Sequence, residues 1–192
     1  GKIVLDQQAV TIHSPRDAQT FGIGMVYQQF TLIPNMTVLE NLVISKAKLD
    51  PVINWQQEEH QLTQFMDTMP FKVSLSARVS SLAAGEKQKV EILKQLALRN
   101  RILILDEPTS VLTPQEADEV LGHLRAMTLA QQVSVLIITH KLREVAAFAD
   151  EVTVLRKGQF VGSGNVSELN VSQMAEMMVG SEVTAKPKQR TV

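Results

Sequence analysis

Short apolar runs alternate with stretches of helical periodicity along most of the chain. The apolar runs are of strand length, and they predict β-strands at residues 2–5, 24–27, 102–105, 133–138 and 152–155. The stretches between them place apolar side chains at the three- and four-residue intervals of an amphipathic helix. Strands that alternate with helices favour an α/β fold built on a largely parallel sheet.

Helix starts are marked by capping residues at two points. Thr113 precedes Pro114 and Glu116, which predicts an N-cap, a proline in the first helical turn and a capping box. Thr37 and Glu40 have the same spacing and predict a helix that begins near residue 38. Residues 55–69 are polar with apolar positions at helical spacing, so we expect a surface helix there, within a helical insert spanning about 35–100.

Composition places the chain among globular proteins. Its 192 residues are 44% hydrophobic, enough for one domain with a sizeable core, which we assign to residues 1–180. A net charge of −1 gives no bulk electrostatic reason to expect nucleic acid or an anionic membrane as the main partner. The apolar runs are too short to span a bilayer, no signal peptide is expected, and residues 181–192 are interpreted as a polar linker or tail.

Two adjacent carboxylates, Asp106 and Glu107, follow the apolar run at 102–105. At the carboxyl end of a parallel strand they would face the crevice where α/β sheets bind ligands. Asp106 is then a candidate ligand of Mg²⁺, and Glu107 is a candidate base for an attacking water. The alternative is an acidic turn before Pro108, and the dipeptide alone favours that alternative.

Polar side chains also follow two other predicted strands. Gln28 comes after the strand at 24–27 and could offer a neutral oxygen to Mg²⁺ or to a water. His140 comes after the strand at 133–138, where it could reach a terminal phosphate. Each of these side chains could simply be a polar group on the protein surface. Three strand ends that carry Gln, Asp-Glu and His together nevertheless favour a site that binds phosphate.

A turn of small residues opens a further predicted helix. Residues 81–88 read SLAAGEKQ, and apolar positions at helical spacing follow them. The free N–H groups of a helix amino terminus can bind phosphate. An ordinary helix start remains the alternative, because alanine needs no unusual backbone geometry.

The chain resembles the nucleotide-binding domain of ATP-binding-cassette (ABC) transporters. The resemblance lies in an ordered set of motifs: Gln28, LAAGEKQKVEILKQL, ILILDEPTSVLTPQE and Thr139-His140. The resemblance implies a P-loop NTPase-like fold in which Gln28 is the Q-loop glutamine, Asp106 the Walker B aspartate, Glu107 the general base and His140 the switch histidine. It also implies that the signature motif consists of Leu82, Ala83, Ala84, Gly85 and Glu86. The strings GEKQKVEILK, TSVLTPQE and ITHKLREV are similar to the first of two fused ATPase copies in importers of simple sugars and nucleosides.

The same resemblance implies a set of cofactors and partners. ATP and Mg²⁺ would be the cofactors, with Asp106 and Gln28 near the metal. A second ABC ATPase module, fused or separate, and transmembrane permease subunits would be direct partners, and an extracytoplasmic solute-binding protein an indirect one. No nucleic acid is expected. The chain would lie peripherally on the cytoplasmic face of the cell membrane.

The sequence departs from the family pattern at the phosphate loop and in the signature. No G-x-x-x-x-G-K-S/T string occurs in the 192 residues, and the family places this Walker A loop shortly before the segment that Gly1 resembles. We therefore expect a chain truncated at its amino terminus that does not turn over ATP alone. Ala83 stands where the family has a serine, and Ala84 where it has a glycine.

Two other functions compete with the importer ATPase. A non-hydrolytic regulatory or dimerisation module would keep the protein-binding surfaces and need no phosphate loop. A soluble ATPase of the same family in translation or repair is the third hypothesis, and the importer-like strings count against it.

Overall fold

The computed structural model describes residues 1–46 and 48–180, so the predicted tail at 181–192 lies outside the described residues. The chain divides into two compact units, a first that comprises Gly1–Ile138 and a second that begins at Thr139. The strands and helices of the first unit are β1 (Ile3–Leu5), β2 (Gln8–Val10), α1 (Pro15–Thr20), β3 (Ile23–Val26), α2 (Val38–Ile44), α3 (Trp55–Asp67), α4 (Ala84–Ala97), β4 (Ile102–Asp106), α5 (Pro114–Leu129) and β5 (Ser134–Ile138). The second unit contains α6 (Leu142–Phe148), β6 (Glu151–Arg156), β7 (Gln159–Asn165) and α7 (Val171–Val179).

A three-stranded parallel sheet in the order β3–β4–β5 forms the centre of the first unit. Val26, Leu103 and Leu105 lie on one face of this sheet and are fully buried. The apolar faces of α4 and α5 are also buried, as the sequence pattern predicts. On the other face, Leu136 and Ile138 of β5 are about half exposed. The α/β class with a parallel sheet is confirmed.

The five predicted strands are all present, and each boundary differs by at most one residue. Two strands were not predicted, β2 and β7, and each forms an antiparallel hairpin with the strand before it, β1 and β6 respectively. The first and last predicted strands therefore belong to small antiparallel sheets, outside the parallel one. Lys157 and Gly158 turn β6 into β7 with positive φ angles, a local geometry that apolar periodicity does not reveal.

The helix starts are as the capping residues predict. The Thr37 side chain accepts from the Glu40 N–H, and the Glu40 carboxylate accepts from the Thr37 N–H, at the start of α2. Thr113 and Glu116 form the same box at the start of α5. Helices α2, α3 and α4 all fall within the predicted insert at about 35–100. The insert as a subdomain, and residues 1–180 as one domain, stay predictions. No helix of the described residues is long and apolar enough to cross a membrane.

An ion pair joins α4 to α5. The ammonium of Lys89 lies 2.7 Å from a carboxylate oxygen of Glu116. The Lys89 hydrogen bond, followed by those from Thr113, lowers the pKa of Glu116 from 4.5 to about 2. The ionised carboxylate therefore holds the start of α5 and the middle of α4 together.

A Cβ at position 24 would displace two polar side chains, whereas a Cβ at position 85 would displace none. A Cβ on Gly24 would fall well inside van der Waals distance of Gln95 and of the buried Asn100, whose amide donates to the Gln95 side chain at 3.0 Å. A Cβ on Gly85 would meet Leu112 and the Val111 carbonyl at an ordinary 3.5 Å. We predict that Gly24→Ala lowers the free energy of unfolding by about 1–3 kcal/mol, and that the matched Gly85→Ala leaves it unchanged or slightly raised. Urea denaturation followed by circular dichroism measures both, and equal effects would contradict the packing argument.

The depressed pKa of Glu116 predicts a pH dependence of stability. Because the folded pKa lies below the unfolded one, the contribution of Glu116 is complete above about pH 4.5 and is lost as the pH falls towards 2. In Lys89→Met we expect the pKa of Glu116 to rise towards 4.5 and this acid dependence to shrink. Carboxyl NMR titration reports the pKa, and Lys87→Met on the same helix is the control. An unchanged Glu116 titration in Lys89→Met would refute the assignment.

Candidate functional site at the carboxyl edge of the parallel sheet

The register of the parallel sheet brings three of the predicted site residues to one edge. Val26 pairs with Leu105, so the two strands end level with each other. Gln28 follows Val26 by two residues, and Asp106 and Glu107 follow Leu105 directly. Gln28 is exposed, whereas both carboxylate residues are half-buried.

The backbone turns sharply at Glu107. Asp106 is still paired with Ile138 of β5, and the Glu107 N–H donates to the Ile138 carbonyl at 2.9 Å. Glu107 itself has φ of 49°, in the left-handed region that non-glycine residues rarely adopt. The Glu107 carbonyl then accepts from the Ser110 N–H at 3.2 Å, and Thr109 between them is fully buried. Strained backbone of this kind persists where the surrounding structure fixes it, and it is frequent at functional sites.

Asp106 and Gln28 offer carboxylate and amide oxygens, the hard donors that Mg²⁺ takes in proteins. Within residues 1–46 and 48–180, no group of three or more His, Asp or Glu side chains is placed to hold a metal ion. Two protein oxygens fit the way Mg²⁺ is usually bound beside a nucleotide, where phosphate oxygens and water complete its shell. The metal assignment of Asp106 and Gln28 stays a prediction.

His140 follows β5 by two residues and is exposed. It belongs to the second unit, and its role as a phosphate contact stays a prediction. In the same turn, the Thr139 hydroxyl accepts from the Lys141 N–H at 3.1 Å.

Residues 82–86 form the start of α4, as the sequence predicts. Leu82 is buried, and Ala83 is the N-cap residue. The Glu86 carboxylate accepts from the Ala83 N–H at 2.8 Å, but alanine has no hydroxyl to cap the helix in return. Ala83, Ala84 and Glu86 are exposed. This helix amino terminus therefore faces solvent, and Gly85 beside it packs on the segment that follows Glu107.

Sequence reasoning did not identify the buried charges of α4. Glu91 is 1% exposed and is bonded to Thr31 and Lys94, residues that the sequence analysis did not single out. Glu91 lies between Val90 and Ile92, and its spacing from Gln88 and Gln95 is that of a polar helix face. No local signal distinguishes such a face in solvent from one that is buried against a distant segment.

Comparisons with known proteins agree with this architecture. Residues 1–110 match the family model described as "ABC transporter". A glucose import ATP-binding protein of Haloferax volcanii, TsgD13, is 38% identical over 95% of this chain and 38% of its own length. A ribose import ATP-binding protein, RbsA of Rhodopirellula baltica, is 37% identical over 98% of this chain and 37% of its own length. The chain thus spans less than two-fifths of these relatives.

Solved structures show the same fold. The dimeric structure of MJ0796, a bacterial ABC transporter cassette, superposes with a TM-score of 0.74 at 21% identity, covering 86% of this chain and 73% of that one. The ADP conformation of MJ1267, another ATP-binding cassette of an ABC transporter, gives a TM-score of 0.70 at 20% identity over 95% of this chain and 74% of that one. With its order of strand-end residues and more than half of its length in the family model, the chain belongs to the ABC transporter family.

Proposed function

We propose that this chain supplies part of the ATP-hydrolysing machinery of an ABC importer for simple sugars or nucleosides. The observation that carries the proposal is the parallel register in which β3 and β4 end level, with Gln28 two residues past Val26 and with Asp106 and Glu107 directly past Leu105. The names of the glucose and ribose import relatives support the substrate class.

In this proposal each predicted site residue has its own task. Asp106 would hold Mg²⁺ of the nucleotide, with Gln28 near the metal, and the ion would supply positive charge against the phosphates. Glu107 accepts a proton from the attacking water, and Gln28 orients that water through its amide oxygen. His140 contacts the terminal phosphate. No covalent intermediate with the protein is required.

Residues 82–86 would approach the nucleotide held by a second ATPase module. The exposed start of α4 supports this, because its first N–H groups are available to an external anion.

The remaining partners follow from the same proposal. Transmembrane permease subunits would contact the Gln28 region and the helical insert, and a solute-binding protein would act through them. The chain would then be peripheral, on the cytoplasmic face of the membrane.

A non-hydrolytic regulatory or dimerisation module is the second candidate function. Ala83 favours it, because alanine removes the hydroxyl that would cap α4 and contact a phosphate. Hydrolysis measurements on a chain that carries a phosphate loop distinguish the two.

We predict that the 192-residue chain does not bind Mg-ATP tightly by itself. No G-x-x-x-x-G-K-S/T string is present to hold the β- and γ-phosphates. Calorimetry would compare this chain with the same chain preceded by a segment that carries such a loop. We expect binding only in the second, and tight binding by the first would contradict the need for the loop.

In the loop-bearing chain, assembled with its partners, we predict that Glu107→Gln lowers the rate of ATP hydrolysis by about 10²-fold or more. The Kd of Mg-ATP should stay near its wild-type value, because the amide keeps the shape of the side chain and Asp106 is intact. Phosphate release and equilibrium binding measure the two quantities. Glu119→Gln, an exposed position on α5, is the matched control.

Hydrolysis near the wild-type rate in Glu107→Gln would show that Glu107 is not the base. Absence of hydrolysis from the unsubstituted assembly, with nucleotide binding retained, would favour the regulatory module.

A further inference from the structure

The segment that carries Gln28 is held by side chains of distant helices. Residues 27–33, the Gln28 segment, leave the sheet after β3 and have no strand partner. The Thr31 N–H donates to the carboxylate of Glu91, sixty residues away on α4. The Thr31 hydroxyl lies 3.0 and 3.1 Å from the two oxygens of the same carboxylate. A side chain thus supplies the acceptor that a neighbouring strand would otherwise provide.

Lys94 completes this group of contacts. Its ammonium lies 2.5 Å from a Glu91 oxygen and 2.5 Å from the Thr31 hydroxyl. The side chains of Glu91 and Lys94 are 1% and 11% exposed. A carboxylate removed from water this completely needs all of its hydrogen bonds, because each lost partner leaves charge unsolvated. We call this group of three residues, Thr31, Glu91 and Lys94, the Glu91 cluster. Each of its members depends on hydrogen bonds to the other two.

Asn41 of α2 fixes the end of the same segment. Its amide oxygen accepts from the Ile33 N–H at 2.7 Å, and its amide nitrogen donates to the Ile33 carbonyl at 3.1 Å. Asn41 is 4% exposed, so these bonds are made away from solvent. On the other side of Gln28, Val26 is buried in the sheet. Four residues, 27–30, lie between the fixed positions Val26 and Thr31, which restricts how far Gln28 can move.

Helix α4 connects this anchor to the predicted signature residues. Glu91 and Lys94 lie in the same 14-residue helix that begins at Ala84. A helix transmits displacement along its axis, because its backbone hydrogen bonds keep the rise per residue fixed. A shift at its exposed amino terminus would therefore reach Thr31 through the Glu91 cluster.

We propose that Glu91 is a positioning residue which joins the Gln28 segment to α4, so that Gln28 and residues 82–86 move together. The consequence for ATP hydrolysis rests on the proposed function. The link between α4 and the Gln28 segment does not, because it consists of hydrogen bonds within this chain. Glu91 contacts no predicted substrate position, and it acts through Thr31.

Amide hydrogen exchange on the 192-residue chain tests the link directly. In Glu91→Gln we expect the Thr31 amide, and with it residues 28–33, to exchange roughly 10- to 100-fold faster, the factor expected for loss of a charge-assisted hydrogen bond. Thr31→Val should accelerate exchange less, because the hydrogen bond from the backbone N–H of residue 31 to the Glu91 carboxylate is retained. Thr31→Ser keeps both donors and should behave as the wild type. Glu59→Gln, exposed on α3, is the matched control.

The distribution of the change separates positioning from general stabilisation. Faster exchange confined to residues 28–33 supports the link. Uniformly faster exchange through β4 and α4, with a lower urea midpoint and no local excess, would overturn it. Thr31→Ser that exchanges like Thr31→Val would also overturn it, because the hydroxyl would then have no part.

The loop-bearing assembly provides the functional readout. We expect Glu91→Gln and Thr31→Val to lower kcat roughly tenfold or more, with little change in the Kd of Mg-ATP, because Gln28 is misplaced while the binding groups remain. Wild-type kcat in both variants would overturn the positioning role. If the exchange result holds but the unsubstituted assembly hydrolyses no ATP, the proposed function fails and the link between α4 and the Gln28 segment stands.

Discussion

The parallel pairing of β4 with both of its neighbours is the constraint on which the rest of the first unit depends. Leu103 and Leu105 are fully buried, so β4 cannot slip by one residue without turning apolar side chains away from the core. Its register with β3 and β5 is fixed by the same burial. The positions of Asp106 and Glu107 follow from it, because they are simply the residues at which the buried strand ends. The register of β3 ends that strand at the same edge, and Gln28 follows it there two residues later.

Beyond the sheet, side chains provide the hydrogen bonds that secondary structure does not. The Gln28 segment has no strand partner, and buried groups of α2 and α4 satisfy its backbone through Asn41 and Glu91. Such bonds tie an irregular segment to two helices at once. They also make the position of the segment depend on both helices.

Helix α4 has contacts along its length that serve different purposes. Its amino terminus is exposed and lacks a capping hydroxyl, Lys89 bonds the start of α5, and the middle of the helix holds the Glu91 cluster. The segment after Glu107 packs beside Gly85. A ligand or partner that bound at residues 82–86 would consequently act on a helix that is hydrogen-bonded to the Gln28 segment and lies beside the segment after Glu107.

Local patterns in the sequence by themselves determined the strands of the sheet, the capped starts of α2 and α5, and the order in which Gln28, residues 82–86, Asp106, Glu107 and His140 occur. These features depend on neighbouring residues, whose spacing is visible in the chain. The hairpins β1–β2 and β6–β7 escaped prediction because their turns use positive φ angles at residues such as Lys157. Only the tertiary structure decided that Glu91 is buried and that the side chains of Asn100 and Gln95 lie close against Gly24. Both facts arise from segments far apart in sequence, Thr31 against α4 and Asn100 against β3, and burial of a polar helix face is decided by what packs on it.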